Sequence, residues 1–564
     1  MKKKWLSKVL SFTLAGAMLL GVTACGQQKQ EESKSKETSK AEQSSQAESS
    51  QQTSSEVVST EPEVIEVTYP LDTDTTFTMF ITSACAPHKS LSGFEESPWH
   101  IKLVEKTGVD VKWSKGPTGE GNKALTLLLA EEKDRPDVWD RASTPASLIK
   151  EWIQDDVILD LTDYLPKYAP DFWEYINRPE NETARKTIVD DEGRYWYIPA
   201  MRESTYNITY QGPMIRKDWL DACGLDIPVT MDDMEKVLIA FKEKYGAAYA
   251  GTLSYFKNVG FCAGTDAYAS LTFKTYVDDN GKIQCGNVQP EWKAYLEYIN
   301  RWYEMGLIDA DFFTADNAMV QQKAANNKAG VIFAAMSQLT KYVDDAEKNG
   351  NGAEWIGIEY LRTAAGEPTS MIQTSASNFD NVDTIFVNSK IEEDKIPVVL
   401  NWLNYFFTEE GIEYTNFGEE GVTYTRDAEG NVKWTELITN DPLGTSAALT
   451  KYTGWTGTGI GIQSADFVRA KNAQQAVDAV YKWIENTEGM EHSIPLLSYT
   501  DDESMQYKDR QAAISKYVEE AALKFVTGEK SLDEFDAFVA ELDKLGLQEC
   551  LKAHQSAYDR FLAR

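Results

Sequence analysis

Hydrophobic and polar positions change rhythm along this chain, and each change predicts an element. The run Phe77-Thr78-Met79-Phe80-Ile81-Thr82 is rich in strand-forming residues. Residues 99–106 place Ile101, Leu103 and Val104 at helical spacing, and Gly108 stops the helix. Val109-Asp110-Val111-Lys112-Trp113 alternates as a strand does, and residues 124–130 form a second helix. Arg135-Pro136 breaks that helix, and Asp137-Val138-Trp139 opens a third strand. The order β-α-β-α-β predicts a parallel, doubly wound sheet. Ligands bind such sheets beyond the carboxyl ends of the strands. Here those ends are residues 83–90, the glycine-bearing loop 114–122 and Trp139-Asp140-Arg141.

Helical periodicity dominates farther on. Thr230 caps a helix with Asp233 three residues later, Met234, Val237, Leu238 and Phe241 form its apolar face, and Gly246 ends it. Residues 395–407 are apolar on most sides, so that helix is expected deep in the fold. Ser531 and Glu534 make a capping box ahead of a core stripe of Leu532, Phe535, Phe538, Leu542 and Leu545, with Gly546 as the expected stop. Asp190-Asp191-Glu192-Gly193, Asp278-Asp279-Asn280-Gly281 and Asp427-Ala428-Glu429-Gly430 lack EF-hand spacing and read as hairpin turns.

The first 65 residues follow other rules. Lys2, Lys3 and Lys4 precede an apolar stretch of about 14 residues, which suits a signal segment and is short for a membrane span. It ends in Leu20-Gly21-Val22-Thr23-Ala24-Cys25. This run resembles the bacterial lipobox, which implies cleavage after residue 24, acylation of Cys25 and a membrane tether on the extracytoplasmic face of the cell. Residues 25–65 are mostly Gln, Glu, Ser, Lys and Thr and are expected to act as a disordered spacer.

The remaining chain, about 500 residues, is too long for one compact core and predicts two lobes. A formal net charge of -33 excludes nucleic acid as a natural partner, since phosphates need a basic face. The chain carries no Cys-x-x-Cys pair, no His-Glu-x-x-His, no Gly-x-Ser-x-Gly elbow and no phosphate loop. No cofactor, metal or catalytic group is therefore expected. Of the six cysteines, Cys262 and Cys285 are the first pair to test for a bridge, with free buried thiols as the alternative.

Several segments, in order, resemble the family 1 extracellular solute-binding lipoproteins. They are Glu105-Lys106-Thr107-Gly108-Val109, Pro136-Asp137-Val138, Gly193-Arg194-Tyr195-Trp196-Tyr197-Ile198-Pro199 and Met214-Ile215-Arg216-Lys217-Asp218-Trp219-Leu220. Ala329-Gly330-Val331-Ile332-Phe333, Asn416-Phe417-Gly418 and the last segment around Ser531 and Gln555-Ser556-Ala557-Tyr558-Asp559-Arg560 continue the series. The resemblance implies an α/β, two-lobed periplasmic-binding-protein fold of the maltose-binding type, monomeric, with the ligand between closing lobes. It implies an oligosaccharide ligand and an ABC transporter permease as partner. It also places hinge crossings near residues 206–213, 358–362 and Thr415, which assigns 66–208 plus 356–415 to lobe 1 and 209–355 plus 416–564 to lobe 2.

A sugar site needs flat aromatic faces and fixed polar partners for hydroxyls. Position selects Trp139 and Asp140 after the third strand, Arg202 and Tyr206 near the first crossing, and Tyr255 ending the strand-like run 250–254. It also selects Ser337 in the loop 335–338, and Trp455 within a glycine-rich stretch of the second lobe. Maltose-binding relatives carry an aromatic in the loop that 335–338 matches, and this chain does not. Capture of a peptide or another small solute, a tethered sensor, and a glycoside hydrolase using Asp140 and Glu203 are the alternatives.

Overall fold

The computed structural model describes residues 66–82, 90–117, 119–203, 209–259, 262–367, 369, 379–487 and 491–564. The signal segment, Cys25, the spacer and Tyr206 lie outside the described residues. In chain order, the strands of the two main sheets are β1 (Phe77–Ile81), β2 (Val111–Lys115), β3 (Val138–Ala142), β4 (Ile198–Arg202), β5 (Gln211–Arg216), β6 (Ala248–Ala250), β7 (Ala329–Ala335), β8 (Trp355–Gly357), β9 (Phe379–Val387) and β10 (Ile462–Gln463).

The first sheet has the order β10-β4-β9-β3-β1-β2. β1 runs parallel to β2 and β3, while β9 lies antiparallel between β3 and β4. The helices Pro98–Thr107 and Gly121–Leu129 supply the crossovers that parallel pairing requires. The second sheet has the order β8-β5-β7-β6, antiparallel except for β6 beside β7. Each sheet carries its own apolar core, one built on Met79, Trp139, Ile198 and Phe386, the other on Met214, Tyr249, Val331 and Phe333. The protein is thus two-lobed and α/β, as expected.

Strand pairing moves two lobe boundaries. The expected start of a lobe 1 segment at 356 falls within β8, which pairs with β5 of lobe 2, and Ile358, Tyr360 and Leu361 lie in the lobe 2 core. The expected division put all of 416–564 in lobe 2. Instead β10 pairs in parallel with β4, and Phe417, Tyr424, Trp455 and Phe467 form a satellite cluster against Ala200 of β4. Thr415 is buried within the helix Glu409–Phe417 and is no crossing point. The chain changes lobes after β10, where the helix Gln474–Trp483 packs on β5 and β8.

Local chemistry explains most helix ends. Thr230 and Asp233 form a reciprocal capping box, and Gly246 ends that helix at φ 64°. Ser531 and Glu534 do the same, but Gly546, at φ 90°, caps the start of the final helix, Leu547–Ala563. The three acidic turns close hairpins: each leading aspartate, Asp190, Asp278 and Asp427, accepts backbone N–H groups of its own turn. The helix Lys395–Tyr405 is deep in lobe 1, with Trp402 fully buried 5.3 Å from Phe77, ring centre to ring centre. Cys285 is a free buried thiol, the alternative to a bridge with Cys262; burial pushes its pKa up to about 12. Among the described residues, no helix is long and apolar enough to cross a membrane.

Two predictions follow from this packing. A β-carbon on Gly212 would lie 2.4 Å from the buried Trp483 indole, so Gly212→Ala is expected to lower stability by about 1–3 kcal/mol in urea unfolding. Burial lowers the pKa of His554 from 6.5 to about 4. The unfolded chain then binds the extra proton between those values, and stability falls as pH drops from 6.5 to 4. His554→Gln is expected to remove most of that loss, at most about 3 kcal/mol, in urea midpoints compared between neutral and acid pH.

Candidate ligand cleft

Three passages of chain join the sheets, and all use the same strand ends. The first runs from the end of β4 to the start of β5, the second from β8 to β9, and the third from β10 to the helix Gln474–Trp483. They are pinned to one another and to the strands. Tyr360 donates its hydroxyl to the Gln211 carbonyl at 2.6 Å, and Glu203 N–H reaches the Gln463 carbonyl at 3.0 Å. Thr340 Oγ1 accepts the Ala473 N–H at 3.2 Å. Register places the carboxyl ends of β1, β3, β4 and β10, and those of β6 and β7, at this junction. The expected ligand position lies there.

On the lobe 1 side, Asp140 is fully buried. Its carboxylate accepts the Thr82 N–H, and Thr82 Oγ1 donates to the Asp140 carbonyl at 3.2 Å. Asp140 thereby ties the middle of β3 to the residue that follows β1. Beyond it, Ser143 sits at φ 53°, a region costly for a residue with a β-carbon, and its carbonyl accepts Arg141 Nη1 at 3.1 Å. The Thr144 and Thr384 hydroxyls meet at 2.8 Å and fasten this turn to β9.

Arg202 ends β4. Its Nη1 donates to the Gln463 side-chain oxygen, and its guanidinium lies 6.0 Å from the centre of the Trp455 ring. The neighbouring Glu203 carboxylate accepts the Ala465 N–H at 2.5 Å. Trp455 was expected in a glycine-rich loop of lobe 2. It stands instead in a short helix, Gly454–Thr458, packed against the lobe 1 sheet and 9% exposed. Gly454 is required for close approach: a β-carbon there would lie 2.5 Å from the Trp99 indole.

Trp139 presents no open face. It is fully buried, stacked at 6.2 Å on Phe386 and edge-on at 5.9 Å to Trp152. Phe386 of β9 and Trp152 of the helix Ala146–Gln154 cover its ring, so its position is that of a core residue and not of a ligand platform.

On the lobe 2 side, Tyr255 was expected to end a strand. β6 stops at Ala250, Thr252 caps the helix Leu253–Asn258, and Tyr255 is its third residue. Burial raises the Tyr255 pKa, while the Ala335 backbone and the Asn317 side chain, both within hydrogen-bonding reach, act against the rise. Ser337 is exposed at the start of the helix Met336–Asn349. Tyr210, missed in the sequence reading, is 44% exposed, and its carbonyl accepts the Met336 N–H at 2.7 Å. Its signal was available: an aromatic inside the first crossing, one residue before β5.

The structure therefore places Asp140 within β3, Arg202 at the end of β4 and Trp455 in the helix beside Arg202, with Tyr210, Tyr255 and Ser337 near the strand ends of lobe 2. The rim offers a cation, hydroxyls and aromatic edges, a set suited to a polar, uncharged ligand with apolar faces. Among the described residues, no cluster of three or more His, Cys, Asp or Glu is placed to hold a metal ion.

The comparisons with known proteins bear on the family and the fold. The family model described as bacterial extracellular solute-binding protein matches residues 97–413. The chain is 22% identical over 486 residues to the fructooligosaccharide ABC transporter substrate-binding protein FusA of Streptococcus pneumoniae serotype 4, covering 82% of this chain and 86% of that one. It is 24% identical over 483 residues to lipoprotein LipO of Bacillus subtilis, covering 82% and 89%. Among solved structures, an HMO-binding, ABC-transporter-associated solute-binding protein from Bifidobacterium longum infantis superposes with a TM-score of 0.68 at 21% identity, over 86% of this chain and 99% of that one. That likeness is one of fold. The family match spans more than half of the chain, and this protein belongs to the bacterial extracellular solute-binding proteins.

Proposed function

We propose that this protein is a lipid-anchored receptor that captures an oligosaccharide between its lobes and delivers it to an ABC importer, without catalysis. The observation that carries the reading is the junction where three passages bring hydroxyl, aromatic and guanidinium groups of two lobes to facing strand ends. Relatives of similar length support the ligand class, FusA being named for fructooligosaccharides. The tether rests on the lipobox-like Leu20-Gly21-Val22-Thr23-Ala24-Cys25 and on the likeness to a relative named as a lipoprotein.

In this reading Arg202 donates to ligand hydroxyls, and Trp455 holds the guanidinium in place by its ring. Tyr210, Tyr255 and Ser337 supply the opposite wall. Asp140 acts indirectly, by holding β3 to the residue that follows β1.

Thermal shift on the Cys25→Ser chain, against panels of oligosaccharides and peptides, tests the ligand class. A cognate sugar at a hundredfold excess over its Kd adds about 2.7 kcal/mol of stability and raises Tm. A shift from peptides alone contradicts the oligosaccharide reading and leaves the receptor fold intact.

Two substitutions separate the site from the core. Arg202→Ala is expected to weaken sugar binding by about tenfold to a hundredfold in calorimetry, the value of about 1.5–3 kcal/mol for a charged hydrogen bond. Trp139→Ala is expected to cost about 3–5 kcal/mol of stability while the folded fraction binds normally. Tethering is tested by detergent-phase partitioning of the native chain, which Cys25→Ser is expected to abolish.

A further inference from the structure

The last helix, Leu547–Ala563, begins in lobe 2, where Leu547 and Cys550 share a core with Val331 and Phe333 of β7. Its partner helix, Asp501–Thr527, belongs to the same core through Ile514, Val518 and Phe525. The far end of this pair reaches across to lobe 1. Both Arg560 and Arg564 bind one carboxylate, Asp191, in the hairpin that links Val189 to Tyr195. Val189, Tyr195 and Trp196 lie in the lobe 1 core.

Asp191 is shared between two cations. Arg560 Nε donates to one oxygen at 3.0 Å, and Arg564 Nη2 donates to the other at 2.7 Å. Arg564, with its side chain 4% exposed, also donates from Nη1 to the carbonyls of Lys186 and Val189 at 2.9 and 2.8 Å. Arg560 is fixed from behind by Glu503 at 2.7 Å and by the Ser498 carbonyl at 3.0 Å. A second tie joins Lys150, in the lobe 1 helix Ala146–Gln154, to Asp501 at 2.6 Å. Burial raises the Glu503 pKa, but Arg560 and its other donors outweigh it and bring the value down to about 2. The cluster stays ionised at any physiological pH.

What lies beneath these ties is open. A cavity of about 430 Å³ separates Ile149, Ile153 and Trp196 of lobe 1 from Leu496, Leu497 and Tyr499 in the segment before the helix Asp501–Thr527. Its aromatic faces are already covered, Arg194 lying 5.1 Å over Trp196 and Tyr507 stacking at 4.7 Å on Tyr499, so it lacks the free platform of a sugar site. The contact is therefore a rim of ion pairs around a gap and not a close-packed seam. Such a contact can open without exposing a core, which a packed interface cannot do.

We propose that Arg560, Asp191 and Arg564 form an interlobe latch that limits lobe separation in the ligand-free protein. It acts outside the three passages and does not depend on which ligand is bound. Double electron–electron resonance between unnatural spin-labelled side chains at Lys123 and Lys236, exposed positions in lobes 1 and 2, reads it directly. In ligand-free wild type the distance distribution is narrow at low salt and broadens as salt screens the pairs. Asp191→Ala and Arg564→Ala each broaden it at low salt, the double variant adds nothing further, and Asp191→Glu restores the narrow form. An unchanged distribution in Asp191→Ala overturns the latch. Asp191→Asn, which removes the charge and keeps the side chain's size, decides the matter in the same way should Asp191→Ala fail to fold.

Discussion

The indole of Trp483 packs against Gly212 with no room for a β-carbon, and its Nε1 donates to the Pro213 carbonyl at 3.2 Å. This contact presses the helix that ends the third passage onto the strand that ends the first. Gly357, at the end of β8, repeats the arrangement: a β-carbon there would lie 2.2 Å from Ala479 on the same helix. All three passages are thus bound into one tight zone on lobe 2.

The site follows from that constraint. Strands with parallel neighbours direct their carboxyl ends to one edge of each sheet, and the passages hold the two edges together. Polar groups at those edges are held by partners within the protein itself. Thr82 and Asp140 join two strands, Gln463 and Trp455 hold Arg202, and Thr252 caps the helix that carries Tyr255. Preorganisation of this kind lowers the ordering cost of binding. The Arg560–Asp191–Arg564 latch is a separate device, remote from those edges and built from ion pairs.

Much of the fold was legible where the determinants are local. The β-α-β-α-β order, the capping boxes at Thr230 and Ser531 and the hairpin turns at Asp190, Asp278 and Asp427 depend on residues a few positions apart, and the structure has them all. Failures came where distant partners decide. The pairing of Ile462–Gln463 with β4 is set by a neighbour about 260 residues away, so the third crossing was misplaced. Trp139 was read as following the third strand, but it is the second residue of β3; both faces of that strand are covered, and alternation carries no inside-or-outside signal there. The glycines around Trp455 resembled a ligand loop, yet Gly454 serves packing against Trp99. Tyr255 followed a β-rich run, and the capping chemistry of Thr252 turned it into a helix.

Hydrogen–deuterium exchange with and without a bound oligosaccharide tests the central claim most directly, because it maps protection onto both lobes at once. The account requires that protection appear together at residues 140–144, 202–203, 210–212 and 335–337, the facing strand ends. Protection confined to one lobe, or to outer helices with these segments unchanged, would contradict capture at the junction.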